Sequence, residues 1–316
     1  MVLLLLVGVL SGISPFHRAP PATQQQAAPV VAFWGDSLFE GFPRPPFASD
    51  GSDSVAGQFD LGYTPGTSYN GGAAGQSAAE IAIRQGGLPL HLQVDGGTIP
   101  ASGTVIVRAV EVIGWRLDRA WAVEGSIQSV AGVLVRAGAT LKFTRSNAGS
   151  ATRVRSSALF VSKPGQTYRA STQVLLAGRN DIGYSSKAGA PADRTIAATR
   201  AMVDSLPVGR RVLVLGTITA SWERRGTPGY HEVLRINSSL KSLYPANFWD
   251  YRSWLVHDAI YALGIEPTAE DLANMAADTV PPSIMVPGDG LHYSPATAAA
   301  AAARLHTELS ARHWIS

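Results

Sequence analysis

Three residues in this chain can make a nucleophile and its base. They are Ser37 in Gly35-Asp36-Ser37-Leu38, and Asp289 with His292 in Asp289-Gly290-Leu291-His292. A serine hydroxyl attacks a carbonyl when a neighbouring imidazole takes its proton, and a third group must hold that imidazole in one tautomer. An Asp three residues before a His lets one loop present both, with the carboxylate accepting from Nδ1 and Nε2 left to face the serine. Two further segments lie between them, Asn70-Gly71-Gly72-Ala73-Ala74-Gly75 and Gly178-Arg179-Asn180-Asp181. Gly75 lets a backbone N–H approach a substrate with no Cβ in the way, and the Asn180 amide carries two N–H donors. Such donors suit a developing oxyanion, where loss of one costs about 2.7–4 kcal/mol.

Singly, each segment reads as well as a turn. Asp-Gly-Leu-His suits a plain loop, Asn180-Asp181 an Asx-turn or helix cap, and the Gly75 segment a tight strand-to-helix connection. Arg179 stands beside the oxyanion position, where it fits an anionic or hydroxyl-rich substrate or a structural ion pair. Asp36 reads as a turn-stabilising carboxylate rather than a catalytic one. Trp222, in the loop Thr219 to Tyr230, is a candidate for lining a substrate cleft.

The surrounding elements give the four segments a common setting. Pro29 to Trp34 is a short apolar run ending at Gly35, as suits a strand buried on both faces of a parallel sheet. Ser37 then falls just past the strand's C-terminal end, where open α/β sheets place their ligands. Ser77 can cap a helix with Ala78, Ile81 and Ala82 at helical spacing. Gln173 to Ala177 and Arg211 to Gly216 read as further buried strands, and Phe248 to Tyr251 as a short one. Pro191 to Leu206 and Tyr230 to Leu243 read as helices, with helical stretches on to about Ala277. An Ala-rich helix from Ser294 to His313 closes the chain.

Residues 86–171 have a different texture. Apolar and polar residues alternate from Thr104 to Val112, Val133 to Arg136 and Thr140 to Thr144, with Gly-rich turn signals between them. This predicts an all-β antiparallel module inserted into an α/β domain of residues 29–85 plus 172–316. Both junctions lie close in sequence to Gly75 and Asn180, so the module is expected to overhang the catalytic edge. Its Trp115, Trp121, Phe143 and Tyr168, with Arg108, Arg116, Arg119, Arg136, Arg145, Arg153 and Arg155, suit sugar binding or, equally, a small core of its own.

The chain has 316 residues, 46% hydrophobic and 16% charged, which excludes a disordered chain or a coiled coil. A net charge of +3 without a Lys/Arg-rich run speaks against nucleic acid as a partner. The absence of cysteine removes disulfides, thiolate metal sites and a Cys nucleophile. Met1 to Ile13 is apolar but short for a bilayer span, and it reads as a signal peptide within a leader of residues 1–28, although no Lys or Arg precedes it. The expectation is a secreted or cell-envelope protein with no membrane span once the signal is removed. The remaining histidines, His17, His91, His231, His257, His306 and His313, show no metal-ligand spacing, so neither a metal nor another cofactor is expected.

Together the four segments resemble the SGNH hydrolase (GDSL esterase/lipase) family. Its block I serine falls on Ser37, its block II glycine on Gly75, its block III asparagine on Asn180, and its block V Asp-x-x-His on Asp289 and His292. The resemblance implies a flavodoxin-like α/β/α sandwich, a Ser37–His292–Asp289 triad, and an oxyanion hole from the Ser37 and Gly75 N–H groups and the Asn180 amide. The long spacing from Gly75 to Asn180 departs from a compact family member. In layout, the inserted module is similar to those of phage and bacterial surface-polysaccharide esterases. Three functions follow as expectations: deacylation, most simply deacetylation, of a glycan; a broad-specificity carboxylesterase or lipase acting on small esters; or a glycan-binding adhesin with accessory esterase activity.

Overall fold

The computed structural model describes residues 31–41, 51–114, 120–183 and 189–315. The apolar leader, His17, Trp115, Arg116 and Arg119 lie outside them. The run before Gly35 forms strand β1 (Val31–Gly35), buried along its length. A single helical turn α1 (Ser37–Glu40) follows, then α2 (Val55–Tyr63), β2 (Ser68–Gly72) and α3 (Ala78–Gln85). Ser77 caps α3 within a capping box: its hydroxyl accepts the Glu80 N–H, and the Glu80 carboxylate accepts the Ser77 N–H at 2.8 Å.

The β-rich segment then supplies β3 (Leu90–Val94), β4 (Thr98–Ile99), β5 (Thr104–Ala109), β6 (Trp121–Ile127), β7 (Val130–Ala137), β8 (Thr140–Arg145), β9 (Thr152–Arg153) and β10 (Ala158–Ser162). Six of these close into an antiparallel barrel in the order β10-β3-β5-β8-β7-β6, while β4 pairs with β9. Alternation along the strands sends Leu92, Val107, Val123, Leu134, Leu141 and Phe143 into one interior cluster. Gly125 and Gly132 leave room there for the Phe160 and Phe143 rings, which any Cβ would strike. A short helix α4 (Lys163–Thr167), which the sequence pattern does not announce, leads back out, capped by Ser162.

The α/β rhythm resumes with β11 (Thr172–Leu175), α5 (Pro191–Asp204), β12 (Val212–Leu215), α6 (Pro228–Leu243) and β13 (Phe248–Trp249). Next come α7 (Tyr251–His257), α8 (Ala259–Ala262), α9 (Ala269–Ala276) and α10 (Pro295–Ala311). Tyr251 begins a helix rather than ending a strand, because the Asp250 carboxylate caps α7 through the Ser253 N–H at 3.1 Å. The sheet is parallel, in the order β13-β12-β11-β1-β2. Counted along the sheet's own strands this is 2-1-3-4-5, the order of flavodoxin-like doubly wound sheets, whose switch point here lies between β1 and β11. Alternate strand residues enter two clusters. Val31, Phe33, Leu213 and Leu215 pack with α2, α7, α8 and α10. Ala32, Trp34, Val212 and Val214 pack with α3, α5 and α6.

Helix α3 is buried at all eight positions, because the barrel covers the face that solvent would otherwise take. Ala78, Ile81 and Ala82 join the sheet cluster, and Ala79 and Ile83 join the barrel core. Its charged residues must therefore find partners. Glu80 accepts from Trp121 Nε1 at 2.9 Å and lies 2.7 Å from the Arg136 guanidinium, both of them barrel residues. Arg84 donates to Gln76 Oε1 at 3.0 Å and to the Gly35 carbonyl at 3.1 Å. Desolvation pushes the Glu80 carboxyl up and the Arg84 guanidinium down from their ordinary values. Removing one partner of a buried ion pair strands the other, so Arg136→Met is expected to lower stability by about 3–5 kcal/mol in chemical denaturation. The double variant Arg136→Met/Glu80→Gln should recover most of that loss, and an equal loss in both would show that the charge is not what holds the barrel to α3.

Candidate active site

The turn that carries Ser37 is built by close packing at the end of β1. A Cβ on Gly35 would lie 2.7 Å from the Phe39 ring and 3.0 Å from the Leu176 carbonyl, so the chain passes there only as glycine. Asp36 caps α1, its Oδ1 accepting the Leu38 N–H at 3.0 Å, and this leaves Ser37 as the first helical residue. Ser37 Oγ lies 2.9 Å from His292 Nε2. On the other side of the ring, Nδ1 is 2.8 Å from Asp289 Oδ1. That oxygen also accepts the backbone N–H groups of His292 at 2.6 Å and Leu291 at 3.0 Å, so the carboxylate shapes the loop that carries it. Gly288 and Gly290, at φ 75° and 73°, allow the tight course of that loop. With Asp289 ionised, Nδ1 bears the proton and Nε2 presents its lone pair to the serine hydroxyl.

The other two segments meet at the same place. Gly75 adopts φ 73°, in the left-handed region that favours glycine. Its neighbours are pinned on either side: the Ala73 N–H donates to the Gly35 carbonyl at 3.1 Å, and the Gln76 carbonyl accepts from Asn180 Nδ2 at 3.0 Å. Asn180 Nδ2 also donates to Asp36 Oδ2 at 3.2 Å. Gly178, at φ 103°, turns the chain out of β11 into a 3-10 turn, Arg179–Asp181. The Asp181 carboxylate there accepts the Ala78 N–H at 2.8 Å. Ser37 after β1 and Asn180 after β11 thus flank the switch point of the sheet.

The structure turns Arg179 inward. Its guanidinium donates to the Glu223 carboxylate at 2.6 and 2.5 Å and to the Ile218 carbonyl at 2.8 Å. Trp222 stands beside this pair, 61% exposed. In the barrel, Trp121 and Phe143 are buried in the core, while Tyr168, just after α4, stacks on Tyr69 at 3.7 Å between centroids. Arg145 donates to the Pro100, Asn147 and Ser150 carbonyls. Sequence reasoning misses Arg84, Glu80 and the hold of Asp36 on Asn180, since each depends on contacts between distant segments. The Ser77-x-x-Glu80 capping box was the one local signal for Glu80. No group of three or more His, Asp or Glu residues with metal-binding geometry occurs among the described residues.

No protein-family model matches the chain. Among curated proteins it is similar to the tail spike protein of Salmonella phage epsilon15, 29% identical over 199 residues. The match covers 57% of this chain and spans only 18% of the length of the phage protein. Among solved structures it is similar to a lipase/acylhydrolase from Enterococcus faecalis, at 11% identity and a TM-score of 0.46, covering 89% of this chain and 95% of that one. A peptidoglycan O-acetylesterase is similar at 11% identity and a TM-score of 0.36, covering 90% and 91%.

Burial sets the carboxylates of the site apart. Desolvation pushes Asp36 up from 3.8 to about 6, against the Leu38 N–H bond and the charge of Arg179. Desolvation likewise raises Asp181 to about 6. In Asp289 burial also raises the carboxyl, but the His292 and Leu291 hydrogen bonds outweigh it and hold the group below its ordinary value. Asp36 and Asp181 thus keep their protons to higher pH in the native state than in the unfolded chain. Their stabilisation is full below about pH 4 and is lost as pH rises through about 6, at about 1.4 kcal/mol per carboxyl for each pH unit. Asp289 acts in the opposite sense, stabilising above its unfolded value and losing that effect as pH falls. Asp36→Asn is expected to flatten part of the fall in urea midpoint between about pH 4 and 6. An amide at 36 would also present a donor to the Leu38 N–H or to Asn180 Nδ2, so the variant should lose one of those two hydrogen bonds. A wild-type slope in that variant would show that Asp36 does not carry the pH dependence.

Proposed function

We propose that this chain is an exported serine esterase of the SGNH type, built on a three-layer flavodoxin-like sandwich, that removes small acyl groups, above all O-acetyl, from a polysaccharide or envelope glycan. The observation that carries the reading is the line of contacts from Ser37 Oγ through the His292 ring to Asp289, at 2.9 and 2.8 Å. The apolar leader supports export.

In this reading Ser37 Oγ attacks the ester carbonyl while His292 Nε2 takes its proton. Asp289 stabilises the imidazolium, and its lowered proton affinity keeps it ionised while it does so. The Ser37 and Gly75 N–H groups receive the negative charge on the former carbonyl oxygen, and the Asn180 amide joins them by turning one of its two N–H bonds, to Asp36 or to Gln76, toward that oxygen. As the tetrahedral intermediate collapses, the imidazolium returns its proton to the leaving alkoxide and an acyl-Ser37 ester remains. Water then attacks that ester with His292 again as base, releasing the acid and restoring the serine.

A cavity of about 350 Å³ adjoins the centre, lined by Asn180, Leu291, Ile182 and Thr227 with the paired Arg179 and Glu223. Its mixed polar lining supports a small acyl group on a hydroxyl-rich alcohol over a long lipid chain. Ser37→Ala is expected to lower kcat for p-nitrophenyl acetate by about 10⁶-fold while leaving the unfolding midpoint in place. Turnover should fall sharply as the acyl chain of a p-nitrophenyl ester is lengthened beyond butyryl. Retained turnover in Ser37→Ala would sink the nucleophile assignment, and a preference for long chains would favour a lipase.

A further inference from the structure

We infer that Trp222 is a preformed stacking platform for a pyranose ring, so that the glycan is gripped by the loop that carries this residue. The inference rests on the esterase reading for the identity of the neighbouring centre, but the binding it asserts can be measured without turnover. Single exposed apolar side chains are ordinary on protein surfaces. Trp222 differs in its placement. It borders the cavity of about 350 Å³ that contains Asn180 and Leu291, and it also borders a larger one of about 810 Å³ reaching behind Asp289 and Gly290. The indole therefore forms the ridge between two concave spaces, both touching the loops of the candidate triad and oxyanion site.

The ridge is held rigidly although its tip is exposed. The Ser221 N–H donates to the Gly290 carbonyl at 2.8 Å, and the Glu223 N–H to the Ala220 carbonyl at 2.9 Å. The Glu223 carboxylate accepts the Ala220 N–H at 3.0 Å while it grips Arg179. A Cβ on residue 290 would come within 3.3 Å of the indole, so the Asp289–His292 loop packs against the Trp222 ring. Arg179 and Glu223 thus fix Trp222 relative to Asn180, and Ser221 fixes it relative to His292. A tryptophan fixed in this way loses little conformational freedom on binding.

The surrounding chemistry selects the ligand. An indole face is apolar and carries negative quadrupolar charge, which suits the weakly positive C–H face of a sugar ring. Around the larger cavity, exposed Arg224 and Glu270 stand on the rim and supply a donor and an acceptor for ring hydroxyls. Its volume lies in the range of about 300–1,000 Å³ that holds ligands larger than one ring. The acylated sugar would then sit beside Asn180, with its neighbour in the chain stacked over Trp222 and the next unit in the larger cavity.

The test uses the full chain with Ser37→Ala, which holds substrate without consuming it, and isothermal titration with O-acetylated xylohexaose and with chitohexaose. At least one should bind, and adding Trp222→Ala should weaken that Kd by about tenfold, as for removal of a central aromatic anchor. Trp222→Phe should recover most of the loss. In the active chain, Trp222→Ala should raise KM for the acetylated oligosaccharide about tenfold more than KM for p-nitrophenyl acetate. Unchanged oligosaccharide affinity in Trp222→Ala, no binding of either probe by the Ser37→Ala parent, or an equal loss on both substrates would each overturn the platform. A wild-type chain that binds the oligosaccharide through Trp222 yet hydrolyses no ester would instead overturn the esterase reading alone.

Discussion

The burial of helix α3 on two sides is the constraint from which the rest of this structure follows. A helix with Glu80, Arg84 and Gln85 among eight residues would ordinarily show one polar face to water. Here the sheet takes one face and the barrel the other, so each charge must be answered by a residue brought from elsewhere. Glu80 is answered by Trp121 and Arg136 of the barrel, and Arg84 by Gln76 and the Gly35 carbonyl. The same helix therefore carries the barrel, the residue after Gly75 and the backbone just before Ser37. Any shift of the barrel against the sheet would break a buried ion pair, which costs more than an exposed one because neither charge can return to water.

The candidate centre inherits its rigidity from this arrangement. Ser37, Gly75 and Asn180 each follow a strand, and strand ends alone would leave them on mobile loops. Cross-links between those loops remove that freedom: Ala73 to Gly35, Asn180 to both Gln76 and Asp36, and Asp181 to the start of α3. The arrangement has an electrostatic cost, seen in the raised affinity of Asp36 and Asp181 for protons, since both carboxylates organise the turns from inside the protein.

Much of this was legible in the sequence, and the reason is local. The strand before Gly35, the Ser77 cap and the helices begun by Pro191 and Ser294 are written in side-chain period and capping residues, which act over a few positions. Asp289 and His292 are also a local pair, three residues apart. The turns at Gly75 and Gly178 require left-handed backbone, and glycine marks them directly. What stayed hidden was long-range. Nothing near Arg136 in sequence says that it faces Glu80, and nothing near Arg179 says that Glu223 will turn it inward. Strand β2 reads poorly because Ser68-Tyr69-Asn70-Gly71-Gly72 is polar and glycine-rich. It is a strand at the sheet edge because it pairs with β1 and because Gly72 packs against α1, where a Cβ would strike Glu40.

The barrel shows how tertiary burial changes what a residue type means. Aromatics and arginines in a β module suit a glycan surface, yet Phe143 fills the interior, Trp121 and Arg136 serve the seam with α3, and Arg145 is spent on carbonyls. Trp222 was the less conspicuous candidate in sequence, in a loop of mixed composition. Among the described tryptophans it is the one that stays exposed, because buried Glu223 and Arg179 hold its loop from beneath and leave the indole no core to enter. Recognition chemistry requires a side chain that is ordered and accessible at once, and such residues are rare because order usually comes from burial. In this chain a buried ion pair supplies the order and leaves the neighbouring ring free for contact.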